Sequence, residues 1–100
     1  MPEQTGDEEA QSADELFRRL TVSDVVLGTL ATLVQLGHAK LEQGEGEQAR
    51  LAIETLRAVQ PVLEGAAPPE ALRELRQATA DLQLAYAGAV KAPPREEESS

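Results

Sequence analysis

His38 has the widest chemical range of any side chain in this 100-residue sequence, and it is the only histidine. A single imidazole can act as a general base or bind a metal, and near a helix C-terminus its protonated form interacts well with the helix dipole. The sequence has no cysteine and no second histidine to complete a metal site. We therefore expect His38 to have a structural or surface role.

An acidic cluster is the second candidate, because Glu42, Glu45 and Glu47 surround Gly44 and Gly46. Three carboxylates on one loop could bind Ca²⁺ or Mg²⁺, but the regular alternate spacing of an EF-hand loop is absent. No strand precedes the glycines, as a phosphate-binding loop requires, and Glu45 would repel an anion. The cluster is interpreted as a solvated helix stop, and neither a metal nor a cofactor is predicted.

The hydroxyl residues give no support for nucleophilic catalysis. Ser12, Thr21 and Ser23 have no histidine or lysine at a spacing that would activate them. Tyr86 falls on an apolar helical seam and is interpreted as a core residue whose hydroxyl group reaches the edge. We expect a protein that is not an enzyme and has no catalytic residues.

Negative charge is concentrated towards the two ends of the sequence. The formal net charge is −9, with five acids and no bases in residues 1–14 and three acids and one base in residues 92–100. An acidic chain repels nucleic-acid phosphates and anionic lipids, so neither nucleic acid nor a membrane is an expected partner. The N-terminus is acidic and polar, unlike a signal peptide, so a cytoplasmic location is expected.

The spacing of the apolar residues along the sequence predicts α-helices. The predicted helices span about residues 14–20, 22–42, 47–63 and 69–90. The expected fold class is all-α, a three-helix bundle in which a long central helix packs on an antiparallel helical hairpin. This helical domain would cover residues 14–91, between disordered acidic tails at 1–13 and 92–100.

Three local signals refine the helix pattern. Thr21 followed by Asp24 predicts a capping box at the start of the central helix. Gly37 costs about 1 kcal/mol relative to alanine inside a helix, so we expect a neighbour to pack closely on it. Pro61 lacks an amide hydrogen and crowds the preceding turn, so the turn at 61–64 should be kinked or detached.

The central helix has more apolar circumference than one neighbour covers. Its apolar side chains span about 200° of the helical wheel, whereas packing in one groove needs about 100°. Leu51, Ala58 and Val62 form a second ridge without a partner in one chain. About 75 ordered residues gain only ~3–5 kcal/mol from their own core, so a homodimer is expected. The candidate interface residues are Val26, Leu27, Leu30, Leu33, Val34, Leu51 and Val62.

Two functions are compatible with these expectations. The first is a helical self-association or adaptor module that works through the central helix and the Leu51/Ala58/Val62 ridge. The second is a module that binds a small apolar ligand between the central helix and the hairpin. The sequence does not identify a protein partner other than a second copy.

The order of several core and loop residues resembles a small bacterial family of unknown function numbered 1844. The residues that carry the resemblance are Leu36, Gly37, Ala49, Ile53, Leu56, Gly65, Leu72, Leu75, Leu82 and Tyr86, within residues 22–90. In that family the turn after the second helix is often basic and ends in Gly-Asn-Leu, whereas residues 62–68 here read VLEGAAP. The resemblance implies a small all-helical bacterial protein and brings neither an activity nor catalytic residues.

Overall fold

The computed structural model describes residues 12–91, and every regular element among them is a helix, which confirms the all-α prediction. The helices are α1 at residues 12–19, α2 at Val22–Glu42, α3 at Gly46–Val59 and α4 at Pro69–Lys91, with a 3₁₀ helix at Gln60–Leu63. Residues 12 and 13 are therefore helical, although the sequence placed them in a disordered tail. The rest of the two predicted tails, 1–11 and 92–100, lies outside the described residues.

Helix α2 begins with the capping box that the sequence predicts. The Asp24 amide donates to Thr21 Oγ1 at 3.0 Å, and the Thr21 amide donates to Asp24 Oδ2 at 3.3 Å. These bonds satisfy two backbone donors that have no partner inside the helix. At the other end, Gly44 adopts a φ of +80°, which glycine reaches without a steric penalty, and the chain turns into α3.

Pro61 changes the helical geometry at the end of α3. Because proline has no amide hydrogen to continue the α-helical pattern, α3 ends at Val59 and a 3₁₀ helix follows. The interruption agrees with the expectation for this turn, but the α-helix is shorter than the predicted 47–63. Leu63 still reaches the core at the end of the 3₁₀ helix.

Helices α2, α3 and α4 pack against one another around an aliphatic core. Leu56 of α3 and Leu82 of α4 are its largest fully buried side chains. Helix α2 contributes only Leu30, Val34 and Gly37 as buried residues. The other buried apolar residues are Ala49, Ala52, Ile53, Leu63, Ala67, Leu72 and Leu75.

Gly37 marks a close approach of α2 to both neighbouring helices. A Cβ atom added to Gly37 would lie 2.7 Å from Leu82 Cδ2 and 3.4 Å from Ala52 Cβ. The absence of a side chain therefore lets α2 contact α3 and α4 at the same level. The neighbour predicted for Gly37 is present, and it consists of side chains from two different helices.

A buried polar pair joins the 3₁₀ helix to α4. Gln60 Nε2 donates to Thr79 Oγ1 at 2.6 Å, and Thr79 Oγ1 donates to the Leu75 carbonyl at 2.8 Å. Both Gln60 and Thr79 are buried. A buried donor without a partner would lose its hydrogen bonds to water and gain none in return. The burial of the Gln60 amide therefore depends on the Thr79 hydroxyl group as its acceptor.

The close approach at Gly37 predicts opposite effects of alanine at two glycines of α2. Gly37→Ala should lower the free energy of unfolding by about 1 kcal/mol, because overpacking against Leu82 outweighs the gain in helix propensity. Gly28→Ala is the matched control and should raise it by about 0.5–1 kcal/mol, since nothing lies within 4 Å of the added Cβ. Urea denaturation followed by circular dichroism measures both, and equal effects would contradict the close approach.

The buried pair predicts that Thr79→Val is destabilising by about 1–3 kcal/mol, because the Gln60 amide loses its acceptor without gaining water. The double variant Gln60→Met/Thr79→Val removes both polar groups and should recover part of this loss. The same urea experiment gives the coupling energy between the two positions. A Thr79→Val variant as stable as the wild type would show that the Gln60 amide is not dependent on this bond.

Candidate functional site

The predicted interface residues divide into buried and exposed groups. Leu30 and Val34 are only 2% and 8% exposed, because they face the core formed with α3 and α4. Leu51 and Val62 are 57% and 74% exposed. The remaining three, Val26, Leu27 and Leu33, are partly buried against the core. The side of α2 that is open to a partner is therefore not the side that carries Leu30 and Val34.

Helix α2 exposes a different row of side chains, three apolar residues and one threonine, which we call the α2 stripe: Val22, Val25, Thr29 and Leu36. At about 100° per residue these four positions fall within an arc of about 60°. All of them belong to the exposed surface of the structure. The sequence placed the three apolar members in the wide apolar arc, but the helical wheel alone does not tell which part of that arc α3 and α4 cover.

Helix α3 carries a matching exposed row, which we call the α3 ridge: Leu51, Thr55, Ala58 and Val62, the last in the adjoining 3₁₀ helix. Leu51, Ala58 and Val62 are exposed, and Thr55 is half-buried. Leu51, Thr55 and Ala58 fall within an arc of about 60° of the α3 wheel, about 90° away from Ala52, and Val62 follows them in the 3₁₀ helix. The ridge was predicted from the sequence as an apolar row without a partner.

The α2 stripe and the α3 ridge lie side by side. Helix α4 borders α2 along Ala31 and α3 along Ile53. Both exposed rows lie on the opposite sides of their helices, next to the contact between Gly37 and Ala52. They form one surface that spans two helices and faces away from α4, and we call this surface the α2–α3 face.

The α2–α3 face has no charged side chain between its ends, although 27% of the residues in the chain are charged. Lys40 lies at one end, where its Nζ atom is 3.3 Å from Glu45 Oε1. Arg50 and Glu54 lie outside the face, on the α4 side of α3, and form a 2.9 Å ion pair. The hydrogen bond that Arg50 donates to Glu54, together with the negative charge of Glu54, raises the pKa of Arg50. These charged side chains therefore border the face without entering it, and Leu51 lines a shallow concavity together with Glu47, Arg50 and Glu54.

The threonine hydroxyl groups of the face are bonded within their own helices. Thr29 Oγ1 donates to the Val25 carbonyl at 2.8 Å, and Thr55 Oγ1 donates to the Leu51 carbonyl at 2.9 Å. Thr32, beside the stripe, bonds to its own helix in the same way. These bonds use the hydroxyl donors internally, so the face can lose water without leaving an unpaired donor.

The residues considered for catalysis or metal binding are not assembled into a site. His38 is half-buried on α2, and Tyr86 packs partly buried against the core. Glu45 bonds to Lys40, while Glu42 and Glu47 are exposed on either side of the α2–α3 connection. Among residues 12–91, no three His, Asp or Glu side chains are placed to hold a metal ion.

An apolar groove lies between α2 and α4, on the other side of α2 from the α3 contact. Its volume is about 460 Å³, and its apolar lining includes Leu27, Gly28, Ala31, Ala71, Leu75 and Ala78. A second, more polar concavity of about 600 Å³ lies at the start of α4. There, Arg76 Nη2 is already paired with Glu64 Oε2 at 2.8 Å.

Helix α2 is long and apolar enough to cross a membrane, judged by length and composition alone, and it lies near the N-terminus of the sequence. Core helices of soluble proteins and signal sequences meet the same criterion. Only 17% of the residues in its most apolar window are buried, and Val26, Leu27, Leu33 and Leu41 are partly buried against the core. The exposed apolar side chains of α2 include Val22, Val25 and Leu36 of the α2 stripe.

The chain matches no protein-family model, no curated protein and no solved structure. The resemblance to family 1844 therefore stays a prediction. The function has to be inferred from the α2–α3 face and the α2–α4 groove.

Proposed function

We propose that this chain is a non-enzymatic helical self-association or adaptor module that acts through the α2–α3 face, with a homodimer as its principal state. The observation that carries the proposal is the charge-free apolar surface shared by two neighbouring helices. Contiguous exposed apolar patches on soluble proteins usually mark contacts with other molecules. In this proposal α2, α3 and α4 form a three-helix bundle built on α2, with α3 and α4 as its antiparallel hairpin.

The size of the face suits a contact between proteins. The α2 stripe runs from Val22 to Leu36, roughly 21 Å along the helix, so with a neighbour about 8–10 Å away the face has a flat footprint of about 20 by 20 Å. A footprint on the order of 400 Å² is typical of the smaller, transient interfaces, which bury less than about 600 Å² on each partner. Burying one valine or leucine side chain contributes about 1.5–3 kcal/mol, so a few such side chains suffice for a measurable affinity.

The family resemblance and the charge pattern agree with this proposal. Family 1844 consists of small all-helical bacterial proteins, and the resemblance brings no catalytic residues to this chain. A net charge of −9 disfavours binding to nucleic acid and to anionic lipid, so we propose that the partner is a protein, and first of all a second copy of this chain. We also propose a cytoplasmic location, because the N-terminus is acidic and polar.

Self-association predicts that a carboxylate on the face separates the partners. Val25→Glu and Leu36→Glu should each weaken dimerisation at least tenfold, because an unpaired charge is costly to bury. Leu84→Glu is the matched control, since Leu84 is 72% exposed but lies on α4, outside the face. Analytical ultracentrifugation across the micromolar range measures the dissociation constant, and circular dichroism checks that each variant stays folded. A wild-type chain that is monomeric throughout this range would contradict self-association.

The α2–α4 groove supports a second candidate function, the binding of a small apolar ligand. Its volume of about 460 Å³ lies within the range of roughly 300–1,000 Å³ that is usual for ligand sites. Most of its lining is alanine, glycine and leucine, which suits an aliphatic ligand. Glu74 at its border would disfavour a carboxylate at that end.

Ligand binding in the groove predicts a melting temperature that rises with an aliphatic alcohol such as dodecanol. Ala31→Phe should remove the rise, because the larger side chain fills the groove next to α4. Ala87→Phe, exposed on α4 and outside the groove lining, is the matched control and should keep it. Differential scanning calorimetry measures the effect, and no rise in the wild type would exclude dodecanol as a ligand of the groove.

A further inference from the structure

We infer that the α2–α3 face binds a second copy of this chain, with α2 of each copy packed antiparallel on α3 of the other. This arrangement rests on the proposed self-association and adds which helices meet. It forms an antiparallel four-helix bundle from the two α2 and two α3 helices, related by a twofold axis that runs along the helices. Helix α4 of each copy stays on the outside of this bundle.

The heights of the exposed side chains along α2 and α3 favour this pairing. Residues 43–45 reverse the chain between the helices, and Gly37 lies level with Ala52. Counted from that level along both helices, Leu36 lies between Leu51 and Thr55, and Val25 lies close to Val62. A twofold axis along the helices preserves these heights. Leu36 and Thr29 then meet gaps in the α3 ridge of the second copy, as in knobs-into-holes packing, and Val25 packs beside Val62 at the end of the ridge.

Pairing α2 with α2 would be a poorer fit to the same face. That arrangement needs a twofold axis perpendicular to the helices. Such an axis brings Leu51 opposite Val62 of the second copy only if it passes midway between them, which is near the level of Thr32. At this position Val25 would oppose Lys40, so the ammonium group would be placed against an apolar side chain. In the proposed arrangement Lys40 lies near the level of Glu47 of the second copy, a residue of opposite charge.

The composition of the face also favours a second copy over a different protein. Its interior has no charged side chain that could select a partner by complementary charge. Its two rows instead have similar compositions, because each consists of leucine, valine or alanine together with an internally bonded threonine, so either row can pack on the other without burying a charge. In a twofold contact the α2 stripe of each copy packs on the α3 ridge of the other, so both rows of both copies are buried where the two faces overlap.

Disulfide cross-linking tests this pairing directly, because the chain has no native cysteine. Val25→Cys chains mixed with Val62→Cys chains, and Leu36→Cys chains mixed with Leu51→Cys chains, should form disulfide-linked dimers under mild oxidation. Each mixture should cross-link at least fivefold more than either of its variants alone, since disulfides require Cβ atoms about 3.5–4.5 Å apart. Leu84→Cys chains are the control and should cross-link only at the background rate.

The other outcomes separate this inference from the proposed function. Preferential cross-linking of Leu51→Cys with Val62→Cys chains would overturn the α2-on-α3 pairing and retain self-association. Wild-type chains that sediment as monomers would overturn both. Monomers that cosediment with phosphatidylcholine vesicles would assign the face to a lipid surface and overturn the second copy as its partner. All substituted positions are at the surface, and circular dichroism of each variant checks that the fold is kept.

Discussion

Helix α2 has apolar side chains around more of its circumference than α3 and α4 can cover, and this constraint shapes the rest of the molecule. The close approach at Gly37 fixes which side of α2 faces the core, and Leu30 and Val34 follow from that rotation. Val25 and Leu36 then have to point away from the core. The exposed α2–α3 face is therefore a consequence of tight packing elsewhere on the same helix.

Much of the fold could be predicted from the sequence because its determinants are local. The apolar period locates the helices, and the Thr21–Asp24 pair is a capping box whose two partners are three residues apart. Pro61 interrupts α3 because its ring and missing amide hydrogen act on the residues next to it. The α3 ridge could be predicted for a similar reason, since three apolar residues at helical spacing had no partner in the pattern.

The remaining features depend on contacts between distant residues. A helical wheel gives the angles between side chains but not the rotation of the helix, so the sequence favoured Leu30 and Val34 as interface residues although both lie in the core. The burial of Gln60 depends on Thr79, which is 19 residues away and supplies the acceptor. The residues next to Gln60 and Thr79 in the sequence do not indicate that the two side chains are buried together. Which side chains of α2 are exposed likewise depends on how α3 and α4 pack against it.

The connection of only three residues between α2 and α3 has a kinetic consequence. Helical proteins whose contacts are close in sequence have low contact order and fold within about microseconds to milliseconds. Two proteins at micromolar concentration meet far more slowly, with association rate constants of about 10⁵–10⁷ M⁻¹s⁻¹. In the proposed dimer, each chain would therefore complete its own fold before it meets a second copy, so that assembly would join two folded chains. During that interval the exposed valine and leucine side chains of α2 would remain in contact with water.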